Sequence, residues 1–341
     1  MPFRDIAGHR HLLELVAGAG VRGTLPPSLI FAGPEGVGKR MAAVALAQLL
    51  NCPSPHVEGP ELGSGPSRND ACGECASCKR IARNVHADVL IIEPEDSGSI
   101  KIEAIRDAID RAAYRPFEGR RRVVIIDDAD AVVEPAQNAL LKTLEEPPPA
   151  SVFILVTSRP DILLPTVRSR CQRLRFGRLS PADVAGVLIT SHEYSDTDAH
   201  AAAALSDGSV GRALEGGTDA YVDAREAAAQ LLEGAAASDD PRRRLESAKA
   251  LTGGGKGTDR DELARRLQAV SSILRDLGVL LSAGDERALA NADLRPLLDR
   301  LQPSFDNDRA LRAFAAVDRA LSALDRNASP KIVADWIAFQ I

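Results

Sequence analysis

The sequence predicts an α/β domain built on a phosphate-binding loop, followed by an all-α remainder. Two observations carry this. Residues Gly33–Arg40 read GPEGVGKR between an apolar run, Leu29–Ala32, and an apolar-periodic run, Met41–Leu50, which is strand, glycine-rich loop, helix. Further buried-type strands recur up to Val152–Val156; after Arg175–Phe176 the composition changes, strand patterns cease and Ala-rich helical segments take over. The expected boundaries are an α/β domain at 1–177, a small helical unit at 178–218 and a helical end domain at 219–341. A chain of 341 residues suffices for two or three domains at about 100–200 residues each.

Composition sets bounds on function. The net charge of −6 excludes a globally basic nucleic-acid coat, so any DNA contact must come from a local patch or from partners. No apolar stretch approaches the roughly 18 residues a membrane helix needs, and the N-terminus lacks a basic-then-apolar signal pattern. The expectation is a soluble, intracellular chain of cytoplasmic location without membrane contact.

Taken in order, a first helix spans roughly Gly8–Ala19 on Leu12, Leu13, Leu15 and Val16, and Pro26–Pro27 break it. The strand Leu29–Ala32 and the loop follow. Gly33, Gly36 and Gly38 let backbone N–H groups approach phosphates, and the helix start adds partial positive charge. Lys39 would reach the β/γ-phosphates. The full pattern ends in Ser or Thr, whose hydroxyl holds Mg²⁺; here Arg40 stands there, and a guanidinium has no lone pair to offer. Phosphate binding without competent Mg²⁺ chemistry, with ATP or ADP as candidate ligand, is therefore favoured over full ATPase function; a glycine turn without a ligand is the alternative.

Residues 53–71 are rich in Pro, Gly and Ser and read as a loop, closed by cysteines. Cys72, Cys75 and Cys78 form C-x2-C-x2-C, with Cys52 upstream. Four thiolates satisfy tetrahedral Zn²⁺ in a closed structural site; the alternative is four free or redox-active thiols. His86, the nearest histidine, reads as a surface or capping residue. Asp88–Glu93 is a buried strand and Lys101–Tyr114 an amphipathic helix on Ile102, Ile105, Ile109 and Ala112. Gly119 and Arg120–Arg122 form a charged turn, which is either a solvated face or a partner or DNA contact.

Val123–Ile126 is a further strand, ending in Asp127–Asp128. A carboxylate there is placed to hold Mg²⁺ through water; Asp130 is a second candidate, and a helix-capping role for the whole run is the alternative. Where hydrolysing loops carry Glu after this Asp, Asp128 is one methylene shorter. Gln137–Glu145 is helical and Pro147–Pro149 end it. Val152–Val156 is a strand closed by Thr157–Ser158, either a γ-phosphate or water contact or a plain turn. In Arg168–Cys171, an arginine could supply transition-state charge to a neighbouring subunit, and Cys171 reads as a small buried residue. Ser180 and Pro181 begin a helix as cap and first-turn residue. Gly208–Leu214 opens another, whose Arg212 could face a nucleotide or simply solvent. The end domain is read as helices at about Tyr221–Gly234, Asp240–Leu251, Asp259–Ser282, Leu297–Leu301, Asp308–Asn327 and Pro330–Ile341, with Gly253–Gly257 as a flexible break.

The motifs GPEGVGK (33–39), the four cysteines, QNALLKTLEEPP (137–148), SRC (169–171) and NASPKIVADWI (327–337) together resemble the clamp-loader branch of the AAA+ family, subunits of bacterial DNA polymerase III. The resemblance covers essentially the whole chain. It implies a parallel-sheet nucleotide-binding domain with a zinc module, a helical lid and a helical collar that holds a hetero-oligomeric ring. It also implies partners: the gamma/tau and delta subunits, the sliding clamp indirectly, and primer–template DNA through the complex. Gamma/tau sisters carry Lys-Thr and Asp-Glu where this chain has Lys39-Arg40 and Asp127-Asp128. Both departures imply a rigid member with little or no ATPase activity. Arg170 matches the family's arginine finger, acting in trans on a gamma/tau site. Arg212 lies one place later than the family's lid arginine. An autonomous gamma/tau-like ATPase using Lys39 and Asp127, or a pure scaffold with a vestigial nucleotide site, are the competing readings.

Overall fold

A computed structural model describes residues 2–57, 69–95, 97–238, 240–252, 259–286, 289–326 and 328–341. The chain forms two compact units, Met1–Leu179 and Ser180–Ile341.

The first unit is a five-stranded parallel sheet between helices. Its strands are β1 (Ser28–Ala32), β2 (Val89–Ile92), β3 (Arg122–Ile126), β4 (Ser151–Thr157) and β5 (Gln172–Arg175), in the order β2-β3-β4-β1-β5. Its helices are α1 (Arg10–Arg22), α2 (Lys39–Asn51), α3 (Ala76–Ala82), α4 (Ile102–Ala113), α5 (Glu134–Glu145) and the short α6 (Pro165–Arg168). Successive strand residues alternate faces. Leu29, Phe31, Val123, Ile125, Val152, Ile154 and Val156 face the layer of α1 and α2, while Ile30, Val124, Ile126, Phe153 and Leu155 face that of α4 and α5. Both faces are covered, so β1, β3 and β4 are continuous apolar runs.

Besides the short α6, two elements were not expected from the sequence. In β5 only Leu174 is buried, and its Gln and Arg neighbours are exposed; as an edge strand beside β1 it needs one apolar contact and gains protection from its charges. The other is α3, which starts at Cys75 as N-cap within the cysteine cluster. The loop read at 53–71 lies partly outside the described residues; at its base His56 and Asp70 form an antiparallel bridge.

The second unit is helical: α7 (Pro181–His192), α8 (Asp196–Leu205), α9 (Val210–Glu215), α10 (Thr218–Ala237), α11 (Pro241–Thr252), α12 (Arg260–Leu281), α13 (Arg295–Leu301), α14 (Asn307–Asp325) and α15 (Pro330–Ala338). Serine side chains cap α7, α8 and α9. The main core joins α10–α15, around Leu231, Leu267, Ile273, Val317 and Ile337. By contacts, residues 180–216 pack in the same unit as the helices after 219, since α8 lies against α10 and α12. The Gly253–Gly257 break falls outside the described residues, and the last helix ends at Ala338, short of the expected Ile341.

Candidate functional site

The glycine loop runs from the end of β1 to the start of α2, at the C-terminal edge of the parallel sheet, where ligands of such sheets bind. Gly36 and Gly38 have φ of 69° and 95°, a region that disfavours any side chain. Gly33 passes so close to the chain leaving β5 that a Cβ would lie 2.2 Å from the Phe176 carbonyl oxygen. Lys39 opens α2 and is only 7% exposed. Its ammonium donates to the Pro34 carbonyl at 2.5 Å. Burial lowers its pKa, against the opposing pull of Glu35, Asp128, Asp127 and Asp130.

Arg40 crosses from the loop to the strand ends. Its Nη1 donates to Asp127 Oδ2 at 3.0 Å and also pairs with Glu93, the residue after β2. A divalent ion of the phosphate-loop type needs oxygen ligands from the loop end and a strand-end carboxylate. Position 40 supplies only donors, and Asp127 is engaged by them, so these residues do not fit Mg²⁺. Burial raises the pKa of Asp127, with Asp128 and Glu93 adding to it and Arg40 opposing. Asp128 is also raised, by burial and then by Asp130 and Glu35; its backbone is left-handed, with φ of 48°. Thr157 donates its hydroxyl to Asp130 at 2.8 Å, and Arg159 Nε donates to the same carboxylate at 2.9 Å. Burial opposes charge on Asp130, yet these donors hold its pKa down.

The four cysteines are brought together. Their sulfur atoms all lie within 4.8 Å of one another, with Cys52–Cys72 at 3.5 Å and Cys72–Cys78 at 4.0 Å. Zinc–sulfur bonds of about 2.3 Å at tetrahedral angles put sulfurs about 3.8 Å apart, so the cluster fits a metal of this class. The backbone N–H groups of Cys72, Cys75 and Cys78 donate to the sulfurs of Cys52, Cys72 and Cys75, each at 3.4 Å. Such donors stabilise thiolates. Burial opposes it, but the N–H groups of Cys75 and Glu74 and the neighbouring thiols hold Cys72 down to about 7, while burial pushes Cys52 and Cys78 up. His86 is not a surface residue: it is buried, its Nδ1 accepts the Asp88 N–H at 3.1 Å, and its Nε2 meets Ser77 Oγ at 3.0 Å.

Sequence reasoning missed the carboxylates that anchor this region. Asp70 accepts the N–H groups of Phe3 and Arg4, at 2.9 and 3.1 Å, while Arg4 donates to the carbonyls of Ala71 and Cys72. Asp88 accepts the N–H groups of Phe117, Glu118 and Gly119 at 2.6, 2.9 and 2.7 Å, and Arg122 at 2.9 Å. Asn51 accepts from the N–H groups of Arg120 and Arg121. Arg122 in the expected charged turn therefore points inward. The Asp88–Gly119 spacing gives no local signal, because it spans the whole of α4.

Arg170 follows α6. Its Nε and Nη2 donate to Glu145 at 3.1 and 2.9 Å, and its Nη1 to the Thr166 carbonyl. Cys171 is half-buried against the α5 layer, and burial raises its pKa to about 12. Arg212 belongs to the second unit, in α9, exposed and 3.8 Å from Asp207.

A parallel sheet with a glycine loop at its C-terminal edge, a four-cysteine cluster and a helical second unit define a phosphate-loop protein. The family is shown by sequence: residues 8–180 match the family described as DNA polymerase III, delta subunit, and the chain belongs to it. DNA polymerase III subunit gamma/tau of Mycobacterium tuberculosis is 34% identical over 186 residues, 54% of this chain and 30% of that one. DNA polymerase III subunit delta' of Pseudomonas aeruginosa is 38% identical over 140 residues, 41% of this chain and 39% of that one. The matches thus span well under half of these relatives' length. A gamma subunit-related protein of Thermotoga maritima aligns over 96% of this chain and 97% of its own, at 20% identity and a TM-score of 0.39. No helix among the described residues is long and apolar enough to cross a membrane.

Proposed function

We propose that this chain is a delta-prime-type subunit of the DNA polymerase III clamp loader, with little ATPase activity of its own. The observation that carries the reading is the Arg40–Asp127 ion pair. It puts a donor where a hydrolysing loop needs a hydroxyl and occupies the carboxylate that would hold the metal. Arg170 then acts in trans: its fixed charge and fork of donors suit the developing charge of a phosphoryl group in a neighbouring gamma/tau site. The cysteine cluster holds structural zinc. Residues 178–218 serve as lid, with Arg212 as its candidate nucleotide-sensing arginine, and 219–341 as the collar of a hetero-oligomeric ring with gamma/tau and delta. That ring reaches the sliding clamp and primer–template DNA in the cytoplasm.

The test is ATP turnover by the loader assembled with gamma/tau, delta, clamp and primed DNA. Arg170→Ala should lower turnover on the order of tenfold or more while assembly persists. Unchanged turnover in the mutant complex sinks the finger role. A second reading is favoured by the matches to relatives named gamma/tau. In that reading the isolated chain hydrolyses ATP and Lys39→Ala abolishes it; a silent isolated chain removes it.

A further inference from the structure

Magnesium does not fit the loop end, yet the loop keeps the glycines and the lysine that a phosphate requires. The structure supplies another cation. In both ion pairs of Arg40 the contact runs through Nη1, toward Asp127 and Glu93. A guanidinium has five N–H donors, so Nη2 and Nε keep three. Among the described residues, no hydrogen bond runs from either of those nitrogens, and the side chain is half-exposed beside the loop. The local charge is the second consideration. Lys39 and Arg40 stand against Glu35, Glu93, Asp127 and Asp128, while Asp130 is already answered by Arg159. Every added phosphate therefore brings charge that nothing further neutralises.

We propose that Arg40 takes the place of the divalent ion: Nη1 neutralises the strand-end carboxylates while Nη2 and Nε hold a metal-free diphosphate on the Gly33–Lys39 loop. The ligand chemistry is a diphosphate, either free or carried by a nucleoside. A triphosphate binds less well, because its extra charge meets an acidic edge without magnesium. This goes beyond the clamp-loader reading and does not depend on any partner subunit.

The experiment is calorimetric titration of the isolated full chain with ADP, inorganic pyrophosphate and ATP, each in excess Mg²⁺ and again in EDTA. The expected result is ADP or pyrophosphate binding that changes less than about twofold between the two conditions, with ATP weaker. If pyrophosphate alone binds, the ligand is the free anion; if ADP binds more tightly, the nucleoside contributes. Arg40→Thr should weaken binding in EDTA by about tenfold and restore magnesium dependence, since a charge-assisted contact is lost and a hydroxyl ligand gained. Arg40→Lys, a point charge without the fork, should fall between them. Melting curves of both variants confirm folding. Wild-type binding that requires magnesium, no binding in either condition, or an Arg40→Thr variant that binds in EDTA as well as wild type each overturn the proposal. Arg170-dependent turnover of the assembled loader is unaffected by any of these outcomes, so the two readings fail separately.

Discussion

The Asp88 carboxylate accepts three successive backbone N–H groups and the Arg122 guanidinium, and its side chain is wholly buried. Burial by itself would favour the neutral acid; the three N–H donors and Arg122 outweigh it and hold the pKa below the ordinary 3.8. A depressed carboxylate pKa contributes stability that is present above about pH 4 and is lost as pH falls through the lower folded value. Asp88→Asn should cost about 3 kcal/mol at neutral pH, because donors arranged for an anion lose their charge partner. Urea unfolding from pH 7 down to 2 checks both halves. The variant should start less stable and lose less on acidification, and equal acid sensitivity would refute the assignment. At this scale the sequence was legible where function is local, and opaque where it is not. GPEGVGKR announces a phosphate loop by itself, and the missing hydroxyl at Arg40 is visible at once. Its partner Glu93 is distant in sequence and becomes a neighbour only once β2 and β3 are paired in register.

Elements show the same division. The strands β1, β3 and β4 are buried on both faces and so write themselves as apolar runs. The strand β5 touches the core through one leucine, and no alternation can be read from four residues of which three are charged or polar. Its presence matters to the loop, because the chain leaving β5 closes over Gly33. Gly33→Ala would place a Cβ against a backbone oxygen rather than a movable side chain. It should cost roughly 1–3 kcal/mol of stability and displace the loop, lowering diphosphate affinity in the same titration. An alanine variant with wild-type melting and affinity would contradict the close approach. The helix α3 was hidden for a different reason: the eye reads C-x2-C-x2-C as ligands, and the helix that the third cysteine sits on is too short to show a period.

For the whole molecule, the two units have separate apolar cores, one on each face of a sheet and one among helices. The cysteine cluster belongs only to the first. Metal analysis of the purified chain should find about one zinc per chain. Stripping it with a chelator, or Cys75→Ser, should lower the melting temperature of the first unit by roughly 5 °C or more and leave the second unit's transition in place. Differential scanning calorimetry separates the two, and a zinc-free chain with unchanged melting would show four structural thiols instead. The division into sheet and helical halves was legible from the point where strand patterns stop. The packing of 180–216 with the later helices was not, because Ala-rich surfaces carry little information about which neighbour they meet.

The Arg40 ion pair also has a consequence for descent. A serine or threonine at position 40 would restore a metal ligand but leave Glu93 and the buried Asp127 facing one another without a cation whenever no ligand is bound. Return to a hydrolysing loop would also require lengthening Asp128 to glutamate, which yields nothing until the metal ligand is back. The first step is disadvantageous by itself and the second gains nothing without it, so under the proposed delta-prime role the arginine acts as a ratchet: once acquired, it opposes a return to hydrolysis even while every glycine of the loop is retained.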